Sequence, residues 1–188
     1  MPAGATPLEP SEREPGTPSP SPAPPDRRDR RRCVVAGVLL GAALMAAVDE
    51  IVFHQVLGWH HFYDLGTRRA ALLSDGLLHA AELVALVWSL GLLLDLSRRQ
   101  VLVRSLVTGA TLTGAGAFQL LDGLVNHKVL GLHQVRYGVD LLPYDVAWVG
   151  TGAVLLVAGL VVLGAALRRR SAPARGRAEG AGGAEGAR

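Results

Sequence analysis

Four apolar runs leave this chain few ways to fold. They span about residues 33–53, 71–96, 101–125 and 146–167. Each reaches the roughly 20 residues that a helix needs to cross a hydrocarbon core of about 30 Å. Inside lipid a backbone has to satisfy its own N–H and C=O groups, so runs of this kind are helices. The expected fold is all-α, an integral membrane four-helix bundle. The chain is 49% hydrophobic but only 5% aromatic, a balance that fits membrane helices better than a soluble core. Gly37 and Gly41 form a small-xxx-small pattern, which lets two helix backbones approach closely.

The ends differ sharply from the middle. Residues 1–32 hold most of the prolines among Ser, Thr, Ala and Glu, and residues 169–188 are rich in Gly, Ala and Arg. Neither stretch carries the apolar area to offset its ordering entropy, so both read as disordered tails. The basic cluster from Arg27 to Arg32 resembles the start of a signal peptide, but the apolar run behind it is too long for one. Arginines crowd both tails and the loop with Arg98, Arg99 and Arg104, whereas the other two loops hold only Arg68, Arg69, Lys128 and Arg136. By the positive-inside rule both termini are cytoplasmic, and the loops after the first and third helices lie outside. Basic residues placed this way flank membrane spans and do not form a nucleic-acid face. With Cys33 the single cysteine, no intrachain disulfide and no thiolate metal site is available.

The segment Asp49 to His61 reads DEIVFHQVLGWHH. It returns 73 residues later, from Asp122, as DGLVNHKVLGLHQ. The shared core is Asp-x4-His-x2-Leu-Gly-x-His, and the two copies hold five of the six histidines. Each copy closes the first helix of a helix pair. The bundle is therefore expected to consist of two parallel two-helix repeats related by an axis along the membrane normal. Asp49 then matches Asp122 in depth, and His54 matches His127. The Leu-Gly of each copy ends its helix, which puts His60, His61 and His133 at the outer interface.

The second helix adds Asp75, His79 and Glu82, spaced i, i+4 and i+7 on one face. Glu82 falls near the bilayer centre, where a carboxylate is costly unless paired, protonated or bound to a cation. Its structural alternative is a hydrogen bond to Thr111 or Thr113. On the first helix Glu50 and His54 share a face, with Asp49 rotated by about 100°; the Glu50 position is Gly123 in the second copy. Gln119 and Asn126 are candidates for orienting ligands, and Asp140 and Asp145 for capping the fourth helix. The candidate ligands are thus His54, His127, His79, Asp49, Asp122, Glu50, Asp75, Glu82, His60 and His133. Imidazoles with carboxylates suit copper, zinc or iron, and the lack of Met and Cys argues against Cu(I). Haem held between His54 and His127 fits less well beside so many carboxylates. No phosphate loop, dinucleotide fingerprint, nucleophile elbow or His-Glu-x-x-His occurs, so nothing marks the chain as an enzyme.

Three stretches together, residues 49–61, Ser74 to His79 (SDGLLH) and 118–136, resemble a family of bacterial four-span membrane proteins catalogued as domain of unknown function 2243. The likeness covers about residues 33–168. The family has no established activity to lend. Its members are often encoded near a cytochrome c oxidase assembly factor, which implies a link to copper or respiratory-enzyme maturation and no more than a link; the expected location is the bacterial inner membrane.

Three functions remain open from sequence. One is a metal site near the outer face, for delivery or redox chemistry, with respiratory oxidase assembly proteins as partners. The second is a proton or small-cation conduit through the same groups. The third is a non-catalytic assembly factor with structural histidines. The lipid bilayer is a partner in each, and a homo-oligomer sharing the outer site is compatible with four helices.

Overall fold

The structure, a computed structural model, describes residues 23–169. The expectation of disorder for 1–22 and 170–188 falls outside these residues. Four long helices carry the described chain, and no strand occurs among its residues. They are α1 (Arg27–Val48), α2 (Arg68–Arg98), α3 (Arg104–Leu120) and α4 (Leu142–Arg169). π-Helical segments extend α1 through Asp49–Val56 and α3 through Leu121–Val129.

The first helix begins before its apolar run. Residues 27–32, expected in the tail, are helical because Asp26 and Asp29 form a capping box: Asp29 N–H donates to Asp26 Oδ1 at 2.7 Å and Asp26 N–H to Asp29 Oδ2 at 3.3 Å. Arg99 then pairs with the buried Asp29 at 2.8 Å, and Arg32 with Asp95 at 2.7 Å. These bridges join the start of α1 to the end of α2. Beside them Cys33, Leu96, Val101, Val103, Leu106 and Ala166 form a buried apolar cluster.

Helix α3 is central, packing against both α1 and α4, while α2 packs on α1. Small residues allow it. A Cβ on Gly41 would strike the carbonyl of Thr111, and one on Gly114 the carbonyl of Val38, so these backbones touch. Three helices are long and apolar enough to cross a membrane: Arg27–Val56, Arg68–Arg98 and Leu142–Arg169. The third helix is not among them. It faces protein on two sides, so it can carry Thr, Gly and Gln where a lipid-facing helix needs Leu and Val. Thr111 and Thr113 do not reach Glu82; their hydroxyls donate to Val107 O and Gly109 O of their own helix, at 2.9 and 2.8 Å. Neither expected cap of α4 holds the capping place: Asp140 stands one residue before it and accepts from Leu142 N–H at 3.1 Å, while Asp145 sits inside the first turn and holds Lys128 at 2.5 Å.

Candidate metal centre

The spacing Asp-x4-His places two residues five apart. In an α-helix they would point about 140° apart. In a π-helix, where each N–H bonds the carbonyl five residues back, they stack on one face. Both copies of the motif lie in π-helical segments. Asp49 Oδ2 therefore comes within 3.6 Å of His54 Nε2, and Asp122 Oδ2 within 3.0 Å of His127 Nε2. The rotation of Asp49 away from His54 expected for an α-helix does not occur.

Both segments end alike. Leu57 N–H donates to Val52 O at 2.9 Å and Leu130 N–H to Val125 O at 2.8 Å. Gly58 (φ 57°) and Gly131 (φ 59°) then turn left-handed, a conformation that favours glycine. The turn sends the following chain back over the helix ends. His60 and His133, expected at the interface, are consequently buried, at 4% and 1% exposure. His60 Nδ1 donates to Val135 O at 2.8 Å, and His133 Nδ1 to Phe62 O at 2.9 Å. Asp64 N–H adds a bond to Leu132 O at 3.0 Å, so the two loops close over the site together.

These bonds fix the chemistry of the rings. A carbonyl only accepts, so each Nδ1 carries the proton and each Nε2 presents a lone pair. Those lone pairs turn inward. Among the described residues the Nε2 atoms of His54, His60, His127 and His133 are all buried without an aligned hydrogen bond, as are Asp49 Oδ2 and Asp122 Oδ2. His60 Nε2 faces Asp49 Oδ1 at 3.9 Å, and His133 Nε2 faces Asp122 Oδ1 at 3.6 Å. Acceptor thus faces acceptor. The four rings touch: centroids of His54 and His60, and of His127 and His133, are 4.5 Å apart, and His60 stacks on His133. Donor atoms of Asp49, His54 and His60, and those of His60, His127 and His133, lie within 4.8 Å of one another. Ligands about 2.0–2.1 Å from a zinc ion stand roughly 3.4 Å apart, so small side-chain movements would close either set on an ion. Burial holds His60 down to about pKa 3, helped by the His133 ring and opposed by the Val135 bond. Burial likewise holds His133 down to about 4, against the pull of the Asp122 carboxylate. Both rings are neutral at pH 7, as metal ligands must be.

Other residues brace this cluster. Asn126 Nδ2 donates to Asp122 Oδ1 at 3.0 Å, whereas Gln119 Nε2 bonds Thr151 Oγ1 at 2.7 Å and serves helix packing. His54 Nδ1 donates to Asp75 Oδ1 at 3.1 Å and lies 2.8 Å from Glu50 Oε2. Asp75 also accepts from Phe62 N–H and from His61 Nδ1, at 2.8 and 2.6 Å. His61, expected at the outer interface, is half-buried on Asp75; the Val135 and Phe62 carbonyls carried no sequence signal of their own. Glu82 is buried and takes His79 Nδ1 at 2.6 Å, a pair that has no hydrogen bond or ion pair to the six inner residues. The ten sequence candidates therefore divide into three: Asp49, His54, His60, Asp122, His127 and His133 inside; Glu50 and Asp75 on the outer nitrogen of His54; His79 and Glu82 apart.

The family described as Predicted membrane protein (DUF2243) matches residues 36–166, and the chain belongs to it. That match runs from within α1 to near the end of α4 and includes both Asp-x4-His segments. No curated protein and no solved structure matches the chain.

Proposed function

We propose that this member of the family is a multi-pass membrane protein that holds a transition-metal ion between its two Asp-x4-His-x2-Leu-Gly-x-His segments. One observation carries this reading: the Nε2 lone pairs of His60 and His133 face the Asp49 and Asp122 carboxylates, buried and, among the described residues, without a hydrogen bond. Buried polar groups are ordinarily satisfied, and a cation among these would satisfy them all. The imidazole and carboxylate donors suit Cu(II), Zn or Fe. The link implied by the family makes copper, and respiratory oxidase assembly, the first to examine. Haem loses ground, since the stacked His60 and His133 rings each touch both His54 and His127 and fill the space a macrocycle would need.

Four membrane-crossing helices arranged as two parallel repeats fit the reciprocal contacts of the two copies. The arginine distribution then puts both termini in the cytoplasm and the centre near the outer face of a bacterial inner membrane. The residues supply binding and orientation: the loop carbonyls and Asp75 fix three imidazoles, and the closed loops keep water out. Whether the ion is delivered or does redox work, the same groups hold it. X-ray absorption of copper- or zinc-loaded protein tests this. Imidazole scattering from at least two histidines is expected; an oxygen-only shell would contradict it.

A proton or small-cation conduit is the second reading, favoured by the His79–Glu82 pair at 2.6 Å. Against it, α2 has no Asp, Glu, His, Lys or Arg between Glu82 and Asp95, and α1 has none between Arg32 and Asp49.

A further inference from the structure

On the far side of His54 lies a second constellation. Glu50, Asp75 and Nδ1 of His54 are all buried, and their donor atoms lie within 4.8 Å of one another. They come from two elements, the π-helical end of α1 and the second turn of α2. A cavity of about 510 Å³ opens beside them, lined by Glu50, Gln55, Asp75 and His79 with Ile51 and Leu72 at its walls. The inner cluster, by contrast, lies under the two loops.

We propose that Glu50, Asp75 and His54 Nδ1 form a second cation site, oxygen-rich and reached through this groove, so that His54 presents its two nitrogens to two different ions. It rests on the metal reading of the inner cluster only through that shared ring. Charge is the first reason. Two carboxylates converge on one imidazole nitrogen, and among the described residues neither has a Lys or Arg ion pair. Asp75 is met by Phe62 N–H and His61 Nδ1, but a second buried carboxylate beside it is costly, and a divalent ion in place of the His54 Nδ1 proton balances the pair. An unmet acceptor is the second. Glu50 is 2% exposed, its Oε1 accepts from Gln55 Nε2 at 2.8 Å, and its Oε2 takes no aligned hydrogen bond.

The second copy of the motif supplies the third reason. Carboxylates commonly orient metal-bound imidazoles, and Asp75 suffices for that. Glu50 is surplus to it. At the matching position stands Gly123, against which the Trp148 indole packs; a Cβ there would meet Trp148 Cδ1 at 2.8 Å. Among the described residues His127 Nδ1 has no hydrogen-bond partner. An Asp-x4-His segment is thus built without an acid at this place, and the acid in the first copy answers to something other than folding. Two carboxylates with one imidazole suit a cation on the harder side of the first-row series, Mn²⁺ or Fe²⁺.

The test is a Mn²⁺ titration of detergent-purified protein, following the electron paramagnetic resonance of free Mn²⁺. One Mn²⁺ is expected per chain. Glu50→Gln should weaken it by at least about tenfold, since even loss of an outer partner of a ligand commonly costs 10–100-fold, and Glu50→Gly, which copies Gly123, should do the same. Both should keep the copper or zinc content of the wild type, which also reports that they fold. A His127→Ala/His133→Ala variant should lose copper or zinc yet keep Mn²⁺. Unchanged Mn²⁺ affinity in Glu50→Gln overturns the proposal, as does loss of Mn²⁺ in the His127→Ala/His133→Ala variant. If wild type takes Mn²⁺ in a Glu50-dependent way but no copper or zinc, the inner reading fails and this one stands.

Discussion

His60 and His133 stack with centroids 4.6 Å apart and planes 6° from parallel, and each gives its Nδ1 proton to the carbonyl two residues beyond the other. The exchange ties the loop after each π-helical segment to its counterpart. It also points both Nε2 lone pairs inward. One contact therefore closes the site and sets the protonation of its ligands.

Acid should destabilise the metal-free protein through these two rings. Their folded pKa values, about 3 and about 4, lie below the ordinary 6.5. Between those limits the unfolded chain binds more protons, so stability falls as pH falls. Each ring contributes up to about 1.4 kcal/mol per pH unit in that window. Thermal melts in detergent should show Tm dropping from pH 6.5 to 4, and less steeply in a His60→Asn/His133→Asn variant. A Tm that holds steady or rises on acidification would contradict the burial of neutral rings.

Gly58 and Gly131 should be equally intolerant of alanine. Both turn left-handed, and neither has an atom within 4 Å of where a Cβ would stand, so the loss is conformational alone. About 1–2 kcal/mol is expected for each, read as a lower Tm. An unchanged Tm in either variant would mean that the loop turns by another route.

Helix packing gives a sharper contrast. Alanine at Gly41 drives a Cβ into the Thr111 backbone, whereas alanine at Gly91 meets nothing within 4 Å. Gly41→Ala should cost about 1–3 kcal/mol. Gly91→Ala should be neutral or stabilising, since Gly within a helix is unfavourable by about 0.5–1 kcal/mol relative to Ala. Equal melts of the two variants would contradict the close approach of α1 and α3.

Asn126 should matter to metal affinity and Gln119 should not. Asn126 holds the Asp122 carboxylate, while Gln119 is bonded to Thr151. Asn126→Ala should weaken copper or zinc binding by about 10–100-fold; Gln119→Ala should leave it within error. Competition with a chromogenic chelator separates them, and equal effects would remove Asn126 from the site.

Much of this was legible in the sequence because lipid leaves the backbone few choices. The apolar runs give the helices, and the doubled Asp-x4-His-x2-Leu-Gly-x-His points to the inner residues. What escaped was winding. An α-helical reading turns Asp49 away from His54, and only the π-helical segment restores the pair. The i, i+5 spacing, repeated in both copies, was the signal for it. His60 and His133 looked interfacial because burial after a left-handed glycine depends on where the opposite loop lies. That information is in Val135 and Phe62, far off in sequence. The early start of α1 was readable in Asp26 and Asp29, but the five arginines between 27 and 32 masked it.

The metal itself decides the central claim. Purified wild-type protein, loaded with Cu²⁺ or Zn²⁺ and desalted, should retain at least one ion per chain. A His54→Ala/His127→Ala variant with unchanged helical circular dichroism should retain none. No bound metal in the wild type under replete conditions, or the same content in the double variant, would contradict a metal centre at this site.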